Sequence, residues 1–506
     1  MLSELGTLDL IVLIAVLFGA IAIGVFSGRS NRDSEAFLVG GRNLPWWAIL
    51  GSIVATETST ATVLSLPGDA YAGTGFRWLQ FTMGLILGRI VVVKFLLPIY
   101  FRGSQTTTSK APQEPDTRPI FTAYQTLEER LGKATQMATS LLFLITRNLG
   151  DGLRLYLAAI VLQTLLGWSM PQCVVVMGLV TMAYTAIGGL RSVIWNDCVQ
   201  FVIYMIGGIA AVIVLARLVP GGYEAIWGFA HETGRLTVFD FSWDLSKPLN
   251  FWGGLFGGAV LTIGTHGTDQ IMVQRYLSAR SERDAGRAVL LSAFVVMLQF
   301  TLFLWIGVSL ACFFANSTTV PPDAADQVFA FFIVNLFPQN VGLIGLMLAA
   351  ILAAAMSTLS SSLSASASAL LNDFYLPFLK QSNRPTPSDR MQLRTTQAMT
   401  IAFGVLQMVI AVWASHWDQT VVTSALKIAG FAAGLLLGVF ALGLFSPGIH
   451  QRSVLIGAAA GLVVLTLLSF VIKNESGEAM VAWTYLAAIG ATTTFVTAKA
   501  SERITQ

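Results

Sequence analysis

The chain has 506 residues, of which 55% are hydrophobic and 11% charged, with a formal net charge of +3. A soluble globular protein of that length would expose far too much apolar surface, and a transmembrane β-barrel would read as short alternating segments. The composition therefore describes an all-α polytopic membrane protein whose partner is the lipid bilayer; in such a protein basic residues report topology rather than nucleic-acid binding, and no nucleic-acid partner is expected.

Thirteen candidate spans lie near residues 7–27, 45–67, 75–100, 134–164, 168–187, 193–217, 250–274, 285–315, 327–371, 396–415, 421–446, 453–473 and 480–499. The first lacks a basic leader and a small-residue cleavage site, so it reads as a retained helix and not a signal peptide. The second contains Ile53-Val-Ala-Thr-Glu-Thr-Ser-Thr-Ala-Thr-Val-Leu-Ser-Leu-Pro-Gly68. Hydroxyl and β-branched residues at that density make a poor continuous helix, and a local break would free carbonyls such as those of Ala55 and Thr58. The seventh is weakened by Gly253, Gly254, Gly257, Gly258, Gly264 and Gly267. Weak second and seventh spans suit two inverted five-helix repeats, 45–217 and 250–446. An extra N-terminal helix (7–27) and two C-terminal helices (453–499) complete a single transmembrane domain. The block 327–371 is too long for one span. It is expected to begin with an outer amphipathic piece before a helix that starts near Gly342.

Basic residues sort between alternate loops. One side holds Arg29, Arg32 and Arg42, then Arg102, Lys110 and Arg118, then Arg275, Arg280, Arg283 and Arg287, then Lys380, Arg384, Arg390 and Arg394, then Arg452, then Lys499 and Arg503; the other has chiefly Arg235, Lys247 and Lys473. The positive-inside rule places the N-terminus outside and the C-terminus in the cytoplasm. The stretch from Ser104 to Thr117 reads as a flexible cytoplasmic loop. Cys173, Cys198 and Cys312 show no metal spacing and read as inert thiols. His231, His266, His416 and His450 are scattered, with no nucleophile–base pattern, so no enzyme is expected.

Ionisable groups inside spans are costly and mark function by default. The chain offers Glu57, Arg89, Lys94, Arg147, Asp151, Arg154, Asp197 and Lys427. Arg89 and Lys94 are expected to snorkel to the interface. Arg147, Asp151 and Arg154 share one helix face; they either satisfy each other as ion pairs or present surplus positive charge to an anionic group. Between Ser357 and Ser368 the ninth span carries eight hydroxyl side chains. Such a row either supplies neutral oxygens to a small hard cation or lets membrane helices approach closely.

Several motifs occur in order: Ala36-Phe-Leu-Val-Gly-Gly-Arg-Asn-Leu-Pro45, Ala55-Thr-Glu-Thr-Ser59, the stretch from Tyr184 to Gln200, Asp269-Gln-Ile-Met-Val-Gln-Arg-Tyr276, and the hydroxyl-rich segment running into Asp373-Phe-Tyr375. With these the chain resembles the sodium:solute symporter family, whose members carry sugars, proline, iodide, vitamins or sialic acid with sodium. The resemblance implies a LeuT-like fold of ten core helices in two inverted repeats, a small-molecule solute and sodium as partners, and no organic cofactor. It also implies a multi-pass monomer in the inner (plasma) membrane. It implies a sodium site from carbonyls of Ala55, Thr58 and Ala354 with hydroxyls of Ser357 and Thr358. A second sodium site, as in sialic acid transporters, matches Ser357, Ser360, Ser361 and Asp197, giving one or two coupling ions. For the solute it implicates Ser59, Thr62, Gln80 and Lys427, together with Arg147, Asp151 and Arg154. Glu57 stands where sialic acid transporters have a threonine, and their carboxylate-binding arginine aligns with Gly150, one turn from Arg154. Together these residues suit a polar solute such as an acidic or amino sugar, a sugar or an amino acid, unless Glu57 and Lys427 pair with each other. Proton coupling through Glu57 or Asp197 is the alternative, as is a non-transporting sensor, although such sensors usually carry a long cytoplasmic extension after the last span.

Overall fold

The computed structural model describes residues 6–29, 33–101, 120–417, 419–473 and 479–505, and the described chain is helices joined by turns and loops. Eight of these helices are long and apolar enough to cross a membrane, and helical structure overlaps each of the thirteen expected segments. The loop expected from Ser104 to Thr117 lies outside the described residues.

Helix α1 spans Thr7–Gly28. The second segment is two helices, α2 (Trp46–Glu57) and α3 (Thr60–Asp69). Helix α4 (Trp78–Val91) runs on through Val92–Leu96 to Phe101, and α5 covers Lys133–Leu166. Helix α6, Met170–Leu218, contains both the fifth and sixth expected spans, separated at Gly189. There the backbone takes φ 60° and ψ −160°, a conformation only glycine adopts readily, and a Cβ would lie 2.5 Å from the carbonyl oxygen of Phe37.

The seventh segment is interrupted as its glycines foretell. A wide turn at Gly253–Gly257 leads into α7 (Gly258–Gly267). The helix stops at Thr268 and resumes as α8 (Gln270–Leu277), where Asp269 caps the amide of Ile271 at 2.8 Å. Helix α9 covers Glu282–Ala315. The long 327–371 block divides into α10 (Ala325–Asn335) and α11 (Leu343–Ala369), with Gly342 at φ 81° immediately before α11. Helices α12 (Asp389–Ala414), α13 (Gln419–Phe445), α14 (Gln451–Thr466) and α15 (Trp483–Thr505) complete the chain.

Helix α11 is the centre of the bundle. In its segment Leu343–Gln381, 83% of the most apolar 18-residue stretch is buried, against 17% for α1, and the helix packs against α1, α2, α5, α6 and α12. Alanine and serine let those backbones come close, and the serines also cross-link them. Ser362 accepts from Gln407 at 2.9 Å, Ser364 from Gln274 at 3.2 Å and Ser366 from Asn148 at 3.1 Å, while Ser368 donates to the carbonyl of Phe121 at 3.4 Å. The C-terminal half of the hydroxyl row is thus helix glue. At the other end, the Asp9 carboxylate of α1 accepts from the amides of Asn340 and Gly345, at 3.0 and 3.2 Å, placing an anion against the N-terminal end of α11.

Candidate ion and solute site

The break between α2 and α3 comes from a reciprocal cap. The Ser59 hydroxyl accepts from the amide of Thr62 at 3.4 Å, and Thr62 Oγ1 accepts from the amide of Ser59 at 3.3 Å. In a continuous helix those two amides would serve the carbonyls of Thr58 and Ala55. Both are diverted, so the two carbonyls expected to hold sodium are released from helical pairing by the side chains of their neighbours. Thr58 is held in place by its Oγ1, which donates to the carbonyl of Val54 at 2.7 Å and meets Tyr204 at 3.1 Å and Gln299 Nε2 at 2.9 Å. Tyr204 and Gln299 were not flagged by the sequence, since their polar tips acquire meaning only opposite Thr58.

On α11, Thr358 Oγ1 reaches the carbonyl of Ala354 at 3.5 Å, and the Ser357 hydroxyl donates to Asp197 Oδ1 at 2.7 Å. Ser360 and Ser361 both donate to the carbonyl of Ser357, at 3.0 and 2.7 Å. Asp197 also accepts from Ser52 at 2.5 Å and pairs with Arg275 at 2.9 Å. The expected second set is therefore only partly assembled: Ser357 and Ser361 stand with Asp197, and the guanidinium of Arg275 is among them. By its place in the sequence Arg275 reads as one of the cytoplasmic loop cations. It is instead fully buried with Asp197, because the interruption at Thr268 turns α8 inward against α2 and α11. The sequence signal for this was its apolar setting, Ile271-Met-Val and Tyr276-Leu.

A cavity of about 260 Å³ opens beside the break. Ser59 and Thr60 line it from the break, Asp151, Arg154, Leu155 and Leu157 from α5, and Ala354, Ala355, Thr358 and Leu359 from α11, with Leu426 from α13. Asp151 accepts from Arg154 at 2.6 Å and is ion-paired with Arg147 Nε at 2.6 Å, and Arg147 also lies 3.7 Å from Asp269. Arg147 is thus balanced by two carboxylates. Arg154, with its side chain 43% exposed, is the cation the cavity presents.

Four expectations change. Arg89 does not snorkel: it is buried and holds Glu57, with one Nη2–Oε1 contact at 2.6 Å, and donates to Ser292 at 2.6 Å. A largely enclosed carboxylate needs a counter-charge, and α4 supplies it. His266 Nε2 completes the cluster at 2.9 Å from Glu57. The Glu57–Lys427 pair is not formed, and Lys427 is exposed on α13. Gln80 is not brought to the cavity; its amide donates to the carbonyl of Leu249 at 2.7 Å and accepts from the amide of Asp240 at 3.2 Å, tying down the loop before α7. Thr62 acts through the cap and is not among the lining residues.

The model of the sodium:solute symporter family matches residues 37–463. The chain is 29% identical over 469 residues to sodium-coupled monocarboxylate transporter 2 of Bos taurus, covering 91% of this chain and 72% of that relative. It is 26% identical over 471 residues to the sodium/iodide cotransporter of Homo sapiens, covering 91% and 69%. Among solved structures, the substrate-bound outward-open state of a Na+-coupled sialic acid symporter superposes with a TM-score of 0.84 at 22% identity, covering 99% of this chain and 98% of that one. That likeness establishes the LeuT-like fold. Together with the family match over most of the chain, it makes this multi-pass membrane protein a transporter and not an enzyme: the chain belongs to the sodium:solute symporter family.

Proposed function

We propose that the protein imports a small organic anion with sodium by alternating access, the ion binding to the carbonyls of Ala55, Thr58 and Ala354 and the hydroxyls of Ser357 and Thr358. The observation that carries this reading is the cavity at the α2–α3 break, because Ala354 and Thr358, two of the proposed sodium ligands, also line it. Sodium there would hold the break against α11 and complete the wall of the cavity. The coupling is reciprocal: sodium tightens solute binding by the factor by which solute tightens sodium binding.

The cavity supports a narrower solute class than the polar residues of the sequence implied. Five of its lining residues are leucine or alanine on α5 and α11, with Leu426 opposite, and its polar groups are the Arg154 guanidinium, the buried Asp151 carboxylate paired with it and a few hydroxyls. At about 260 Å³ it is below the roughly 300–1,000 Å³ usual for drug-sized ligands. Apolar walls, one presented cation and little room favour a carboxylate with a short apolar body over a polyhydroxylated sugar. The interruptions at Thr58–Ser59 and Thr268–Asp269 support inverted repeats over 45–217 and 250–446. The basic-residue bias supports an outside N-terminus and a cytoplasmic C-terminus.

Uptake into proteoliposomes tests the reading. Short monocarboxylates and a sialic acid are supplied under inward sodium, potassium or proton gradients. Sodium-driven accumulation of a monocarboxylate is expected. Accumulation of the sialic acid alone would overturn the solute class, and equal uptake under potassium, or uptake driven by protons without sodium, would overturn the coupling.

A further inference from the structure

The guanidinium of Arg275 is enclosed by oxygen. Nη2 lies within hydrogen-bonding distance of three oxygens that share its two protons: Asp197 Oδ2 at 2.9 Å, Thr56 Oγ1 at 2.5 Å and Ser361 Oγ. The group is pinned from its other side by Nε to Ser52 Oγ at 2.7 Å and Nη1 to the carbonyl of Ile271 at 2.8 Å. Three oxygens converging on one charged nitrogen resemble the surroundings of an alkali cation, and two of them belong to the set expected to bind a second sodium.

We propose that Arg275 is a tethered cation standing in the place of a second sodium, so that a single sodium accompanies each solute, and that Asp197 acts on that sodium only through Ser357. The proposal rests on the sodium-coupled reading above and fixes its ion count. The Asp197–Arg275 pair is electrically neutral and both side chains are fully buried. A sodium added to the same oxygens would leave an uncompensated positive charge in the interior, next to a guanidinium that cannot leave without losing its bonds to Ser52 and Ile271. Ser360, the remaining member of the expected set, turns its hydroxyl to the carbonyl of Ser357. Ser357 spends its single proton on Asp197 Oδ1, at 2.7 Å, which leaves its oxygen lone pairs to a cation on the other side. Asp197 is therefore a positioning residue: it orients and polarises a sodium ligand without being one.

The test counts ions. Radioactive sodium binding to purified protein in detergent, and the sodium-to-solute flux ratio in proteoliposomes, should both give one sodium in the wild type. Arg275→Gln exposes the Asp197 carboxylate to the cage and should raise bound sodium to two, with a steeper sodium titration. The neutral double variant Asp197→Asn/Arg275→Gln should bind one, with half-saturating sodium raised about 10-fold by loss of the charged acceptor of Ser357. The double variant keeps the test open should the single one fail to fold. Two sodium ions bound by the wild type, or Asp197→Asn lowering the count from two to one, would overturn the proposal. A wild type that binds no sodium at all would overturn the transport reading itself, a result distinguishable from a count of two.

Discussion

Ser59 and Thr62 cap one another across the break in the second segment, each side chain taking the amide of the other. The consequence is chemical: the carbonyls of Ala55 and Thr58 are left to a cation because their helical partners are occupied. Ser59→Ala should lower stability by about 1 kcal/mol, the usual effect of losing an N-cap. It should also weaken sodium binding, since the Thr62 amide is returned to the Thr58 carbonyl. Thermal unfolding with and without sodium measures both effects, and Thr62→Ser should keep them near wild type.

Ser357 and Thr358 differ in what their loss exposes. Ser357→Ala removes a proposed ligand and also strips Asp197 Oδ1 of its 2.7 Å donor, so sodium-driven uptake should be abolished. Thr358→Ser keeps the γ-oxygen and should preserve uptake. Replacing sodium by potassium in the wild type should mimic Ser357→Ala in transport while leaving its stability in the absence of sodium unchanged. Sodium titrations of initial uptake rate check this.

Arg154 is the presented cation of the cavity, and Asp151 retains Arg147 when Arg154 is removed. Arg154→Gln should therefore fold. Losing a charge-assisted hydrogen bond of roughly 1.5–3 kcal/mol should raise KM for an anionic solute by about 10- to 100-fold, with the maximal rate little altered. A fall in maximal rate at unchanged KM would remove Arg154 from solute binding.

Glu57 and Arg89 stand or fall together. Glu57→Gln leaves a fully buried guanidinium without its carboxylate and should destabilise the protein by about 3–5 kcal/mol. Arg89→Met added to Glu57→Gln should recover part of that loss. Lys427→Ala should not change the Glu57→Gln effect. A double-mutant cycle on melting temperature reads the coupling.

Much of the architecture was legible because it is local. The interruption at Thr58–Ser59 was visible in a run of threonines and serines that compete for backbone amides, and the one at Thr268 in the glycines before it. Gly342 marked the start of α11. Other parts were misread for equally physical reasons. Arg89 looks like a snorkelling cation when α4 is taken alone, and Arg275 looks like a loop charge when α8 is not known to fold inward. Gln80 resembles a pocket residue until the loop carrying Asp240 and Leu249 is laid over it.

What the sequence by itself determined is where the membrane segments run, where two of them break, and which helix carries a row of oxygens. Apolar run length and side-chain competition for the backbone act over a few residues and need no partner. Only the tertiary structure decided which buried charges meet. Glu57 finds Arg89 across 32 residues and Asp197 finds Arg275 across 78, while Lys427 meets neither carboxylate. A buried ion takes as its partner whichever opposite charge the packing of helices brings within a few ångströms, and that distance is written in no single segment.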